Sequence, residues 1–231
     1  MPPSFGLDVI FEDNHLLVVC KAAGLVTQGA APGQTSVVDL ARTYLKHKYR
    51  KPGNVYLGIV SRLDAPATGV LVLARTSKAA GRLAEQFRSG RVTKTYWAAV
   101  QGHPRPVCGE CVDWIKKDDR RHRMVVTEPS DPSARQARLM YRTLAERQDM
   151  AVLEIDLQTG RKHQIRLQLA HRGHPILGDT KYGATRGFPA GIGLHARRLV
   201  IEHPVRRQQI TMEAPCPASW QPMGIQELLQ A

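Results

Sequence analysis

Short apolar runs separated by polar turns dominate the chain. Residues 7–19 read as strand, polar turn and strand, with Asp13, Asn14 and His15 at the turn. Residues 56–60 and 70–74 read as two buried strands. Between them lies Ser61-Arg62-Leu63-Asp64-Ala65-Pro66-Ala67-Thr68-Gly69, with Pro66 and Gly69 as breakers. Further strands are predicted over 94–100, 137–144 and 150–157, with Asp149 in the last turn, and two more close to the C-terminus. Residues 103–136 carry prolines and a charged run, and read as hairpins and exposed loops.

Helical spacing appears four times. Ser36 caps the first helix, and Asp39 three residues on makes a variant of the capping box. Val37, Leu40, Ala41, Tyr44 and Leu45 form its apolar face. Thr76 or Ser77 caps the second, with the stripe Ala80, Leu83, Ala84 and Phe87 and a stop at Gly90. The third runs over 163–172 and ends at Gly173; a short fourth covers 225–229. Strands outnumber helices, so the expected class is α+β, with residues 1–231 as one domain.

Charge narrows the partners. Lys and Arg number 33 against 20 Asp and Glu, a formal net charge of +13, which favours a polyanion such as nucleic acid. Residues 1–6 show neither a basic segment nor an apolar one of signal-peptide type, and no apolar run approaches a membrane span. Four cysteines are too few for a disulfide scaffold, which suits a reducing, cytoplasmic setting. Cys108-x-x-Cys111 offers two thiols where a structural zinc site uses four ligands, so no metal is expected.

Two dense motifs carry the chemistry. The first is Arg62-Leu63-Asp64 with Gly69. The second runs Gly160-Arg161-Lys162-His163-Gln164-Ile165-Arg166, then Gly173-His174-Pro175-Ile176-Leu177-Gly178-Asp179, Tyr182-Gly183 and Leu194-His195-Ala196. Lys21-Ala22-Ala23-Gly24-Leu25 and Lys94-Thr95-Tyr96-Trp97-Ala98-Ala99-Val100 accompany them. In this order the segments resemble the RluA-type pseudouridine synthases over residues 8–215. Ser61 stands where that family has His, Ala67 where it usually has Thr, and Ala22 where it has Pro.

The resemblance implies a mixed, mainly antiparallel sheet with flanking helices and a central active-site cleft. The core begins within ten residues of Met1, which leaves no room for an N-terminal RNA-binding module. The implied reaction isomerises uridine in RNA to pseudouridine: the bond from ribose C1′ to uracil N1 breaks and C1′ is rejoined to C5, with no cofactor. By the family pattern Asp64 is the catalytic carboxylate and Arg166 the cation that offsets its desolvation. Removing such a buried partner costs on the order of 3–5 kcal/mol. Tyr96 matches the tyrosine that stacks on the target base, worth roughly 1–3 kcal/mol. Arg62 is implied to fill the vacated space or hold the flipped nucleotide. Lys21, Arg161, Lys162 and Lys181 are weaker candidates for RNA backbone contact.

A non-catalytic RNA-binding protein on the same scaffold is the alternative reading. It has no need of Asp64, Tyr96 and Arg166 together. A glycosidase that releases the base would use two flanking carboxylates, and only Asp64 is offered. The expected partner is a ribosomal or transfer RNA stem-loop, read through unstacked bases by a monomer.

Overall fold

The computed structural model describes residues 6–229. Residues 1–5, on which most of the signal-peptide reading rests, lie outside the described residues. The strands are β1 (Asp8–Glu12), β2 (Leu16–Lys21), β3 (Gly58–Ile59), β4 (Thr68–Ala74), β5 (Thr93–Gln101), β6 (Cys108–Asp118), β7 (Arg123–Thr127), β8 (Arg135–Arg147), β9 (Met150–Leu157), β10 (Leu194–Glu202) and β11 (Gln209–Glu213). The helices are α1 (Val37–Lys48), α2 (Ser77–Arg88), α3 (Gln164–His171) and α4 (Ile225–Leu228). This is the α+β composition expected, and within each unit these strands pair antiparallel.

The chain forms two compact units. The first comprises Met1–Thr93 and Ala196–Pro215, the second Lys94–His195 and Cys216–Ala231. In the first unit the strand order is β1-β2-β4-β10-β11, with β3 against the end of β4. Strands β2 and β4 are apolar at successive positions because both faces of this sheet are covered. Leu16, Val18, Val70 and Val72 pack with Ala79 and Leu83 of α2. Their neighbours Leu17, Val19, Leu71 and Leu73 pack with Val37, Val38, Ala41 and Leu45 of α1. The capping box of α1 forms as read, Ser36 Oγ accepting from the Asp39 N–H and Asp39 accepting from the Ser36 N–H.

In the second unit the order is β5-β9-β8-β6-β7. One cluster joins Ala99, Val152, Leu177, Trp220 and Ile225. Another joins Ile115, Met124 and Ala137 to Leu167 of α3 and to Tyr182.

Two expectations need correction. The strand expected over 56–60 shrinks to Gly58–Ile59, with Tyr56 exposed. The buried face of α2 is Ala79, Leu83 and Gln86, rotated from the apolar stripe. Gln86 is drawn in because its amide pairs with both backbone groups of Glu202, at 2.8 and 2.9 Å. The hairpin expected within 103–136 forms, the eleven-residue β6 pairing with β7.

Candidate active site

Asp64 sits in the connection over residues 61–67, half-buried, in the first unit. Its loop is held from below by the stretch that follows β2. Lys21 is 1% exposed. Its Nζ donates to the carbonyls of Ala22 at 2.9 Å, Leu25 at 2.8 Å and Ala65 at 2.9 Å. Thr27 Oγ1 donates to the Leu63 carbonyl at 3.1 Å and accepts from the Leu63 N–H at 3.2 Å. The Gly24 N–H donates to the Ala65 carbonyl at 2.9 Å, and the Asp64 carbonyl accepts from the Ala67 N–H at 3.1 Å. Gly69 then takes φ +114°, and a Cβ there would lie 2.3 Å from the Ala196 carbonyl oxygen, so this position admits only glycine.

Burial lowers the Lys21 ammonium to about 8, and the Asp64 charge opposes that shift. Lys21 was expected to touch RNA. It cannot do so here: its three N–H groups are committed to carbonyls and its surface is covered. It is a positioning residue for the Asp64 loop. The Lys-x-x-Gly-Leu element was visible in the sequence, but which atoms it held was not. Ser61 is half-buried beside the loop, Ala67 is buried and Arg62 is exposed.

Arg166 lies in the second unit on α3, 5% exposed. The expected helix arginine is therefore a buried one. Nε donates to Asp179 Oδ2 at 2.7 Å and Nη2 to Oδ1 at 2.8 Å, a planar two-pronged pair. Its guanidinium also lies 5.1 Å from the centre of the Tyr182 ring. The Tyr182 hydroxyl accepts from the Met124 N–H at 3.1 Å and meets His163 Nδ1 at 2.8 Å. Asp179, 1% exposed, had no assigned role in the sequence reading. The signal was present in Gly178-Asp179 and Tyr182-Gly183, but an acid thirteen residues away is not a pair until the chain folds.

Tyr96 is half-buried on β5, between the buried Thr95 and the half-buried Trp97, and is registered opposite Ile155 of β9. Arg161, Lys162 and Lys181 are exposed, as an RNA-facing role requires. The loop bearing Arg161 is built around Gln164, which is 3% exposed. Gln164 Oε1 accepts from Thr159 Oγ1 at 2.7 Å and from the Arg161 N–H at 3.0 Å, while Nε2 donates to the Arg138 carbonyl at 3.1 Å. Gln164 is a second residue to which the motif alone assigned no task.

Cys108 is exposed and Cys111 is buried, its thiol pushed up to about 11 by desolvation. Three residues apart on β6, they point to opposite faces. No group of three or more His, Cys, Asp or Glu side chains that could hold a metal ion occurs among the described residues. No helix there is long and apolar enough to cross a membrane.

The motif order and the fold define an RNA-modifying isomerase. Residues 15–171 match the family model described as RNA pseudouridylate synthase. The chain is 32% identical over 231 residues to the ribosomal large subunit pseudouridine synthase D of Zymomonas mobilis, covering 95% of this chain and 72% of that one. It is 31% identical over 234 residues to the tRNA pseudouridine synthase C of Pectobacterium carotovorum, covering 93% and 60%. The solved structure of human RNA pseudouridylate synthase domain containing 4 superposes with a TM-score of 0.77 at 27% identity, covering 93% of this chain and 92% of that chain. The chain belongs to the RNA pseudouridylate synthase family: it is an RNA-directed isomerase that converts uridine to pseudouridine.

Proposed function

We propose that Asp64 is the carboxylate that acts at the ribose of the target uridine while the C1′–N1 bond breaks and the C1′–C5 bond forms. The observation that carries this is the anchoring of its loop. Lys21, Thr27 and Gly24 fasten Leu63 and Ala65, the residues on either side of Asp64. A carboxylate held this way loses little orientation at the moment of reaction. Tyr96 stacks on the uracil, Arg166 supplies the cation that offsets the desolvation of the half-buried Asp64, and Arg62 holds the flipped nucleotide. Arg161, Lys162 and Lys181 contact the RNA backbone. The substrate is a stem-loop in ribosomal or transfer RNA, the RNAs named for the bacterial relatives. The protein works as a cytoplasmic monomer.

The test is pseudouridine mapping by carbodiimide-dependent reverse-transcription stops on unmodified ribosomal and transfer RNA transcripts. Stops that appear with wild type and vanish with Asp64→Asn assign the residue and locate the uridine. Stops that survive in Asp64→Asn remove Asp64 from the reaction. Tight, salt-sensitive binding without any stops would favour the RNA-binding reading.

A further inference from the structure

Lys94 is a cation that donates no hydrogen bond among the described residues. It lies on β5, half-buried, two residues before Tyr96, and buried Thr95 separates them. Alternation along a strand puts Lys94 and Tyr96 on one face, about 7 Å apart. Burial strips water from the ammonium and lowers its proton affinity; the Asp156 charge opposes that shift in part, and the Arg161 charge adds to it. Yet Lys94 makes no hydrogen bond or ion pair among the described residues. Asp156, whose charge acts on Lys94 without an ion pair, accepts from Gln158 Nε2 at 2.7 Å.

The surroundings repeat this pattern. Arg161 spends Nε on the Gln136 carbonyl at 3.1 Å, and its terminal nitrogens have no partner among the described residues. A Cβ at Gly160 would lie 3.7 Å from Lys94 Nζ, so the turn that bears Arg161 runs within van der Waals range of the ammonium. Gln164 holds the Arg161 backbone in place. A desolvated donor without an acceptor is costly, and two like charges beside each other add to the cost. An anion placed between them relieves both. Arg presents a fork to such a group and Lys a point charge.

We propose that Lys94 Nζ and the Arg161 guanidinium form a phosphodiester subsite that grips the RNA backbone at the nucleotide stacked on Tyr96. This rests on the reading of Tyr96 as the base platform. The spacing along β5 matches base and backbone to one nucleotide: the ring takes the base and the two cations take the adjoining phosphate. Lys94 is a binding residue in this assignment, and it spends its energy on placing the nucleotide rather than on the bond exchange.

The probes are the unmodified ribosomal and transfer RNA transcripts. Binding is measured in the Asp64→Asn background to prevent turnover. Lys94→Met is expected to weaken binding to the RNA that wild type modifies about tenfold, and to reduce the salt slope by about one. Lys94→Arg is expected to stay within about twofold. In steady state Lys94→Met raises KM and leaves kcat nearly unchanged. Unchanged affinity and salt slope in Lys94→Met would overturn the subsite. So would an equal loss in Lys94→Arg. Should Lys94→Met lower the melting midpoint, lysine-selective NMR of the wild type decides: RNA must raise the Lys94 titration midpoint, and an unmoved midpoint overturns the assignment. Wild type that makes no pseudouridine but binds RNA through Lys94 would sink the catalytic reading and leave the subsite standing.

Discussion

The loop that holds Asp64 and the loop that holds Arg161 each have a desolvated lysine against them, and the two lysines are in opposite states. Lys21 gives all three N–H groups to carbonyls. Lys94 gives none to any acceptor among the described residues. Both have lowered proton affinity, chiefly through burial. Burial therefore does not distinguish a structural lysine from a ligand-directed one, whereas the account of donors and acceptors does.

The largest effect separating them is expected in stability. Lys21→Met strands three loop carbonyls and is predicted to cost about 3 kcal/mol in denaturant unfolding. A cost below about 1 kcal/mol would mean that the three bonds are not holding the loop. A pH series sharpens the point. Lys21 in the folded chain titrates at about 8, below its ordinary range. Above that pH a neutral amine has two N–H groups for three carbonyls and no charge toward Asp64, so turnover is predicted to fall. Stability does not fall with it. Between about 8 and the ordinary lysine value the unfolded chain binds more protons, so this group makes stability rise with pH. Loss of turnover with the fold retained is the expected signature. A flat profile from pH 7 to 9 would remove Lys21 from control of the loop.

Next in size is Gln164→Ala, which removes the brace of the other loop. One buried side chain there serves the Thr159 hydroxyl, the Arg161 N–H and the Arg138 carbonyl. The predicted cost is about 2 kcal/mol, read as a lowered unfolding midpoint. Thr27→Val is smaller, about 1 kcal/mol, because it removes two hydrogen bonds to the single residue Leu63, against three to three residues for Gln164. Equal losses in the two variants would erase the contrast between a one-residue brace and a shared one.

How these loops are built was only partly legible in the chain. The strands, the Ser36 cap and the motif residues could be read because period, capping and motif order are local signals. Asp64 and Arg166 could be named for the same reason. What each cation meets could not. Lys21 finds Ala65 forty-four residues away, and Arg166 finds Asp179 across a turn. Lysine on a basic chain reads as an exposed RNA contact until the fold shows three carbonyls around it. Gln164 and Lys94 are hidden by the same limit, since their importance lies in having partners or lacking them.

The smallest stability effect is expected at Lys94, and its smallness is informative. Lys94→Met keeps the apolar stem and removes a charge that has lost water and gained no acceptor. The folded chain holds the Lys94 proton less tightly than the unfolded chain does. The cost of burying the charge is thus present in full below the folded titration and is relieved as pH rises toward the unfolded value. At neutral pH the variant is predicted to be as stable as wild type or more stable by up to about 1 kcal/mol. That margin should shrink in alkali, where wild type also buries a neutral amine. Thermal unfolding at pH 7 and pH 10 checks both signs. A variant clearly less stable than wild type at pH 7 would make Lys94 a second Lys21, a structural donor, and would close the gap between the two loops.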